Sequence, residues 1–265
     1  MNRTFLSCAL ILIGAARVFA QDGLPEAIRG VTIEQKLNSS IDPSLIFRNE
    51  LGERAALKQY LGRRPIVLAL VYYNCPSLCN LILNGVLRVS RTLKLSAGKD
   101  YDVVAVSIDP RETPELAAAK WKSYVQKYGR PTGTAGWHFL TGDEPSIRAL
   151  ADAVGYRYRF DKESGTYSHA SGLIVITPEG RVSRYLFGVE YSARDLRLAL
   201  VEASRGRIGT PIDQILLYCF HYDPQTGKYG VVIMNVLRLG GLLTLAALAA
   251  FWLVMYRRRR AEVRP

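Results

Sequence analysis

The run Ile66-Val67-Leu68-Ala69-Leu70-Val71-Tyr72 constrains this chain more than any other feature. It is apolar throughout and rich in β-prone residues, so neither face can be given to water. Such a strand is buried on both sides, as in a parallel sheet covered by helices. Tyr73-Asn74-Cys75-Pro76-Ser77-Leu78-Cys79-Asn80 follows at once. Leu81, Ile82, Val86, Leu87, Val89 and Leu93 then recur at helical spacing, so the strand feeds a helix through the cysteine segment.

The rest of the pattern extends this unit. Val103 to Ile108 reads as a second buried strand, broken by Asp109-Pro110. Thr113 can cap the next helix, with Pro114 in its first position and Glu115 in its first turn. That helix is expected to run to about Lys127 and to stop before Gly129-Arg130-Pro131. Trp137 to Leu140 predicts a short third strand, and Glu144 to Val154 a helix. Ser171 to Ile176 and Val182 to Phe187 predict a hairpin turning at Pro178-Glu179-Gly180, closed by a helix over Ser192 to Ser204. Upstream, Leu51-Gly52-Glu53-Arg54 marks a turn before a short helix at Ala55 to Tyr60. A βαβ unit followed by ββα, with a cysteine pair after the first strand, is the thioredoxin-like α/β plan: a mixed central sheet flanked by helices.

The two ends read as addressing signals. Phe5 to Ala16 is apolar and Val18-Phe19-Ala20 suits a signal peptidase, so residues 1–20 are expected to be a signal peptide. Cys8 would leave with it. Leu239 to Tyr256 is almost wholly apolar, and Val231 to Val236 extends it past Arg238. That length can span a bilayer. Trp252 and Tyr256 suit an interface, and Arg257 to Arg260 would stay cytoplasmic by the positive-inside tendency. The expected order is signal peptide 1–20, extended arm 21–40, domain 41–206, membrane-proximal extension 207–230, transmembrane helix 231–256 and basic tail 257–265. The domain then faces the periplasm or cell exterior, and the C-terminus the cytoplasm.

Much of the formal net charge of +12 lies in those ends, at Arg3, Arg17, Arg238, Arg257 to Arg260 and Arg264. The part between is mildly basic, which is no nucleic-acid footprint. A basic patch there can still serve docking on an acidic partner or anionic lipid. Only Cys75, Cys79 and Cys219 remain in that part, too few for a disulfide-stapled scaffold.

Four residues apart on a helical turn, the Cys75 and Cys79 sulfurs can face one side. A helix N-terminus favours the thiolates. Paired thiolates are soft donors suited to Cu(I), and they can equally close a disulfide. Cu(I) wants a third donor. His138 beside Trp137 reads as a packing or surface histidine. His169, in Tyr167-Ser168-His169-Ala170, reads as part of a loop just before a strand, facing the cysteine turn in a thioredoxin-type sheet.

Three segments together resemble the Sco (SenC-type) family, which serves cytochrome c oxidase assembly. They are Val71 to Cys79, Val106-Ser107-Ile108-Asp109-Pro110-Arg111-Glu112-Thr113-Pro114, and Ser168-His169 followed by Leu173 to Ile176 and Pro178-Glu179-Gly180. The resemblance covers roughly Thr32 to Arg205. It implies copper ligation by Cys75, Cys79 and His169, with Cu(I) as cargo and Cu(II) left open. It further implies a redox-active disulfide between the two cysteines, an upstream copper donor, and delivery to the copper-containing subunit of a terminal oxidase. Asp109 matches the family's second motif and is expected beside the ligands or at the docking face. Two departures stand out. The anchor is C-terminal, where family members commonly carry it at the N-terminus. An added segment also holds Cys219 and His221, either an accessory metal pair or a docking stretch with an idle thiol. The alternative to a non-enzymatic metallochaperone is a thiol-disulfide oxidoreductase acting on the oxidase's own cysteines. A sensor or scaffold comes third.

Overall fold

The structure is a computed structural model that describes residues 30–209 apart from Pro76, Ser77 and Glu163, the short strands Tyr222–Asp223 and Lys228–Tyr229, and the helix Val231–Glu262. Two compact units divide near Ile208.

In the first unit β1 is Thr32–Ile33, β2 Ile46–Arg48, β3 Arg54–Ala56 and β4 Ile66–Val71. Helix α1 spans Leu78–Thr92, β5 Asp102–Ser107, α2 Pro114–Tyr128, β6 Trp137–Leu140 and α3 Glu144–Ala153. Then come β7 Tyr156–Asp161, β8 Thr166–His169, β9 Gly172–Ile176, β10 Val182–Phe187 and α4 Ala193–Ala203. The expected helix over Ala55 to Tyr60 is instead β3, paired with β2, and a 3-10 turn over Leu57–Tyr60.

The central sheet has the order β10-β9-β4-β5-β6. β4, β5 and β6 run parallel, while β9 is antiparallel to β4 and β10 to β9. Every residue of β4, β5 and β9 is buried, as the continuous apolar runs require. Each fully buried Val, Leu or Ile contributes about 1.5–3 kcal/mol relative to exposure. This is a thioredoxin-like sheet.

Local chemistry sets the element ends. Asp143 caps α3 by accepting from the Ser146 N–H, and the Ser146 side chain, first, with that N–H holds its carboxyl below the usual range. Gly129 ends α2 in the left-handed region at φ 71°, where a side chain is disfavoured. α1 buries Ile82, Leu83, Val86 and Val89 and exposes Leu81. A Cβ at Gly85 would stand 2.1 Å from the Val189 carbonyl, so only glycine lets α1 lie this close to the segment before α4.

A second sheet, β1-β7-β8, comes from chain that carried no strand expectation. Its β7–β8 hairpin registers Tyr158 opposite His169 and Phe160 opposite Tyr167.

In the second unit, β11 (Tyr222–Asp223) pairs with β12 (Lys228–Tyr229). Helix α5, Val231–Glu262, contains an apolar stretch, Arg238–Tyr256, of mean hydropathy 2.0. It is long and apolar enough to cross a membrane. The expected signal peptide, Cys219 and His221 lie outside the described residues.

Candidate metal centre

Strand β4 delivers the cysteine segment. After Val71 the chain places Tyr72 and Tyr73 in the core, turns at Asn74, and buries Cys75 to 6% exposure. Cys79 stands in the first turn of α1, while its side chain, like Pro76 and Ser77, is outside the described part.

Glu112 fixes the approach to Cys75. Its carboxylate accepts the Tyr73 N–H at 2.7 Å, the Asn74 N–H at 2.6 Å and the Ser107 hydroxyl at 2.6 Å. Hydrogen bonds to a charged acceptor are short and strong, so one side chain governs the course of two consecutive residues. On the other side, Asn80 donates to the Cys75 carbonyl at 3.1 Å, and Lys120 of α2 donates to Asn80 at 2.9 Å. Below, the Tyr73 hydroxyl lies 2.9 Å from the Ala105 carbonyl and 2.8 Å from that of Leu140. Burial, first, and the Glu112 charge raise that phenol well above its usual pKa, so it stays a neutral donor.

His169 arrives from another direction. It is the last residue of β8, in a hairpin rather than in the loop expected before a strand, and is 8% exposed. Because β9 runs antiparallel to β4, the chain entering β9 lies at the carboxyl end of β4. That topology brings His169 beside the cysteine approach: its ring meets Tyr72 edge-on, with centroids 5.9 Å apart.

Tyr156, at the start of β7, orients the ring. Its hydroxyl lies 2.8 Å from His169 Nδ1, 2.9 Å from the Leu70 carbonyl and 2.8 Å from the Ala170 carbonyl. Nδ1 is itself 3.0 Å from the Ala170 carbonyl. Two carbonyls can only accept, so this cluster is best served when the phenol donates to one of them and Nδ1 carries a proton. The lone pair of a neutral His169 then belongs to Nε2, the nitrogen a metal would take.

Asp109 lies two residues past the end of β5 and is 7% exposed. Its two oxygens accept from Arg111 Nε at 2.8 Å and Nη2 at 2.7 Å. This bidentate pairing raises the guanidinium pKa further above its usual value. The Arg111 guanidinium lies 4.9 Å from the Phe160 ring centre and 5.8 Å from that of Tyr167. Asp109 thus acts on the hairpin that carries His169, through Arg111. Burial, first, and the Asp109 charge raise the Tyr167 phenol.

His138 packs against Tyr60 at 4.8 Å between ring centroids and stands 3.7 Å from Glu50, away from this cluster. Among the described residues no three His, Cys, Asp or Glu side chains gather as a metal site, and the Cys79 side chain is not among those described. Reasoning from sequence missed Glu112, Tyr156, Lys120 and Arg111. Glu112 and Arg111 sit within the quoted Asp109 to Pro114 motif. Tyr156 had a weaker signal, the alternation Tyr156-Arg157-Tyr158-Arg159-Phe160 of a half-buried strand.

A thioredoxin-like sheet with a buried cysteine after its central strand and an oriented histidine beside it defines the class. The SCO1/SenC family model matches residues 34–202, well over half of the chain. The chain belongs to the SCO1/SenC family. Solved structures share the fold. A protein of Aquifex aeolicus VF5 is 25% identical with a TM-score of 0.57, covering 65% of this chain and 96% of its own. BsSco, a Sco-family cytochrome c oxidase assembly protein with a disulfide switch, is 22% identical with a TM-score of 0.51, over 65% of this chain and 98% of its own. Copper-bound ScoI of Arabidopsis thaliana is 19% identical with a TM-score of 0.50, over 64% and 99%. No curated protein sequence matches the chain.

Proposed function

We propose that this chain is a copper metallochaperone that binds its cargo through Cys75, Cys79 and His169 and delivers it to the binuclear copper site of a cytochrome c oxidase. The observation that carries the reading is the Tyr156–His169–Ala170 cluster. It favours a proton on Nδ1 and so presents Nε2 as a borderline donor beside the carboxyl end of β4, where Cys75 lies. Two soft thiolates and one imidazole suit Cu(I). Family membership and copper-bound ScoI support the same cargo. The dithiol form binds copper. Binding copper releases the two thiol protons; when the bound dithiolate passes two electrons to an external disulfide, the Cys75–Cys79 disulfide closes and Cu(I) is released, so oxidation switches affinity.

Helix α5 tethers the protein, with the arginines after Tyr256 cytoplasmic and the domain outside, so that the search for the oxidase is confined to the membrane plane. Residues 1–20 are the leader that exports it. An upstream donor loads the copper. Cys219 and His221 belong to the docking stretch between domain and span.

The disulfide switch of BsSco favours one second reading, reduction of the oxidase's own cysteines by the Cys75–Cys79 dithiol. A cell producing only His169→Ala separates the two. The chaperone reading expects loss of oxidase copper and activity, restored in part by added copper. Full oxidase activity with His169→Ala, lost with Cys75→Ser, would favour the reductase.

A further inference from the structure

The end of the domain opposite the cysteines carries a feature that metal handling does not use. A cavity of about 320 Å³ opens there. Arg63, Arg64 and Lys99 form its basic side, and Leu95, Leu200 and Ser204 part of its floor. Pro65, just before β4, and Pro178, just after β9, place it at the amino end of β4.

Its cations outnumber the one acid in its lining, Asp100. Arg64 is paired with Asp102 at 2.7 Å, and Asp100 accepts from the Ser96 N–H. Arg63 and Lys99 are exposed, and neither has an ion-pair partner among the described residues. Arg181, Arg205 and Arg207 are exposed close by. The Arg207 carbonyl accepts from Ser183 near the start of β10, and a Cβ at Gly206 would lie 3.7 Å from Glu179. Glu179 is the one exposed acid of this end.

The chain also leaves the domain here. α4 ends at Ala203, Ser204 lines the cavity, and the sequence continues through Arg205 and Arg207 toward the apolar helix that starts at Val231. Surplus cations beside Leu95, Leu200 and Val201, where the chain leaves the domain, suit an anionic phosphodiester that carries an apolar shoulder. We infer that this end of the domain is a seat for anionic phospholipid headgroups of the membrane in which the chain is anchored. The inference rests on the tether proposed above.

The test uses the full chain in lipid nanodiscs of phosphatidylcholine alone or with one third phosphatidylglycerol. Amide exchange is followed over residues 61–66, 95–100 and 200–207. Insertion into both discs reports the tether, and exchange reports the seat. Exchange should be about ten-fold slower with phosphatidylglycerol at low salt, and high salt should abolish the difference. Each cation near an anionic surface is worth about five-fold in partitioning. Arg63→Gln/Lys99→Gln should therefore restore the phosphatidylcholine rate, while Arg54→Gln/Lys122→Gln, exposed elsewhere, should not. Equal exchange in both discs would overturn the seat and leave the tether standing. Protection by inorganic phosphate in phosphatidylcholine discs would reassign the site to a free anion and overturn it too. A chain that enters neither disc refutes the tether, and the seat with it.

Discussion

The segment that carries Cys75 and the hairpin that carries His169 reach the carboxyl end of β4 by different means. The cysteine approach hangs on one carboxylate: Glu112 takes two consecutive N–H groups and a hydroxyl, and Asn80, held by Lys120, takes the Cys75 carbonyl. The histidine arm is an antiparallel hairpin steadied by rings, with Arg111 over Phe160 and Tyr167, Tyr72 against His169, and a single phenol, Tyr156, at the imidazole. Directional bonds to a charged acceptor define one backbone path, whereas stacked rings tolerate sliding. The approach to Cys75 is therefore the more rigid half of the proposed site, and the His169 hairpin is the half expected to adjust when copper enters or leaves.

Glu112→Ala should break the comparison most severely. It strands two backbone donors, one of them in the core, and should cost about 3 kcal/mol, read as a lower urea midpoint. Copper affinity should fall with it, and Glu112→Gln should recover part of both. A Glu112→Ala protein of unchanged stability would mean that the carboxylate does not hold the approach. Tyr156→Phe comes next. It removes only the hydroxyl that orients the imidazole, so stability should fall by about 1–2 kcal/mol and Cu(I) affinity by about ten-fold. If affinity and stability fell together in the proportion seen for Glu112→Ala, the two arms would not be distinct.

Arg111→Met sharpens the contrast on the histidine side. Exchange in β7 and β8 should quicken by several-fold while the Cys75 segment keeps its rate, since the guanidinium joins Asp109 to the hairpin. Spread of the change to the cysteine segment would contradict the division. Lys120→Met should have the smallest effect, a stability loss of about 0.5 kcal/mol, because Asn80 still donates to Cys75 without it.

Sequence and structure part company along the same divide. The strand before Cys75, the helix after it and the parallel neighbour β5 were legible because buried parallel strands are continuous apolar runs and α1 keeps one apolar face. Trp137–Leu140 and the β9–β10 hairpin followed from the same logic. The β7–β8 hairpin did not. Its Arg157 and Arg159 are exposed and its Tyr158 and Tyr167 only half-buried, its turn runs through Lys162 and Gly165 without a two-residue signature, and its pairing with β1 joins segments far apart in sequence. The sequence thus offers His169 as a candidate ligand but suggests a loop where the structure has the end of β8. Tyr156 and Glu112 went unremarked because nothing local says that a tyrosine will reach across to β4 or that a helix-entering glutamate will turn back onto two amides.

The central claim, that Cys75, Cys79 and His169 together hold Cu(I), is tested most directly by anaerobic titration of the reduced full chain against a competing Cu(I) chelator. The variants are Cys75→Ser, Cys79→Ser and His169→Ala. The account predicts one tight equivalent in the wild type, lost with either serine and weakened about 10- to 100-fold with alanine at 169. A wild type that competes no better than the cysteine variants, or a His169→Ala protein of unchanged affinity, would contradict it.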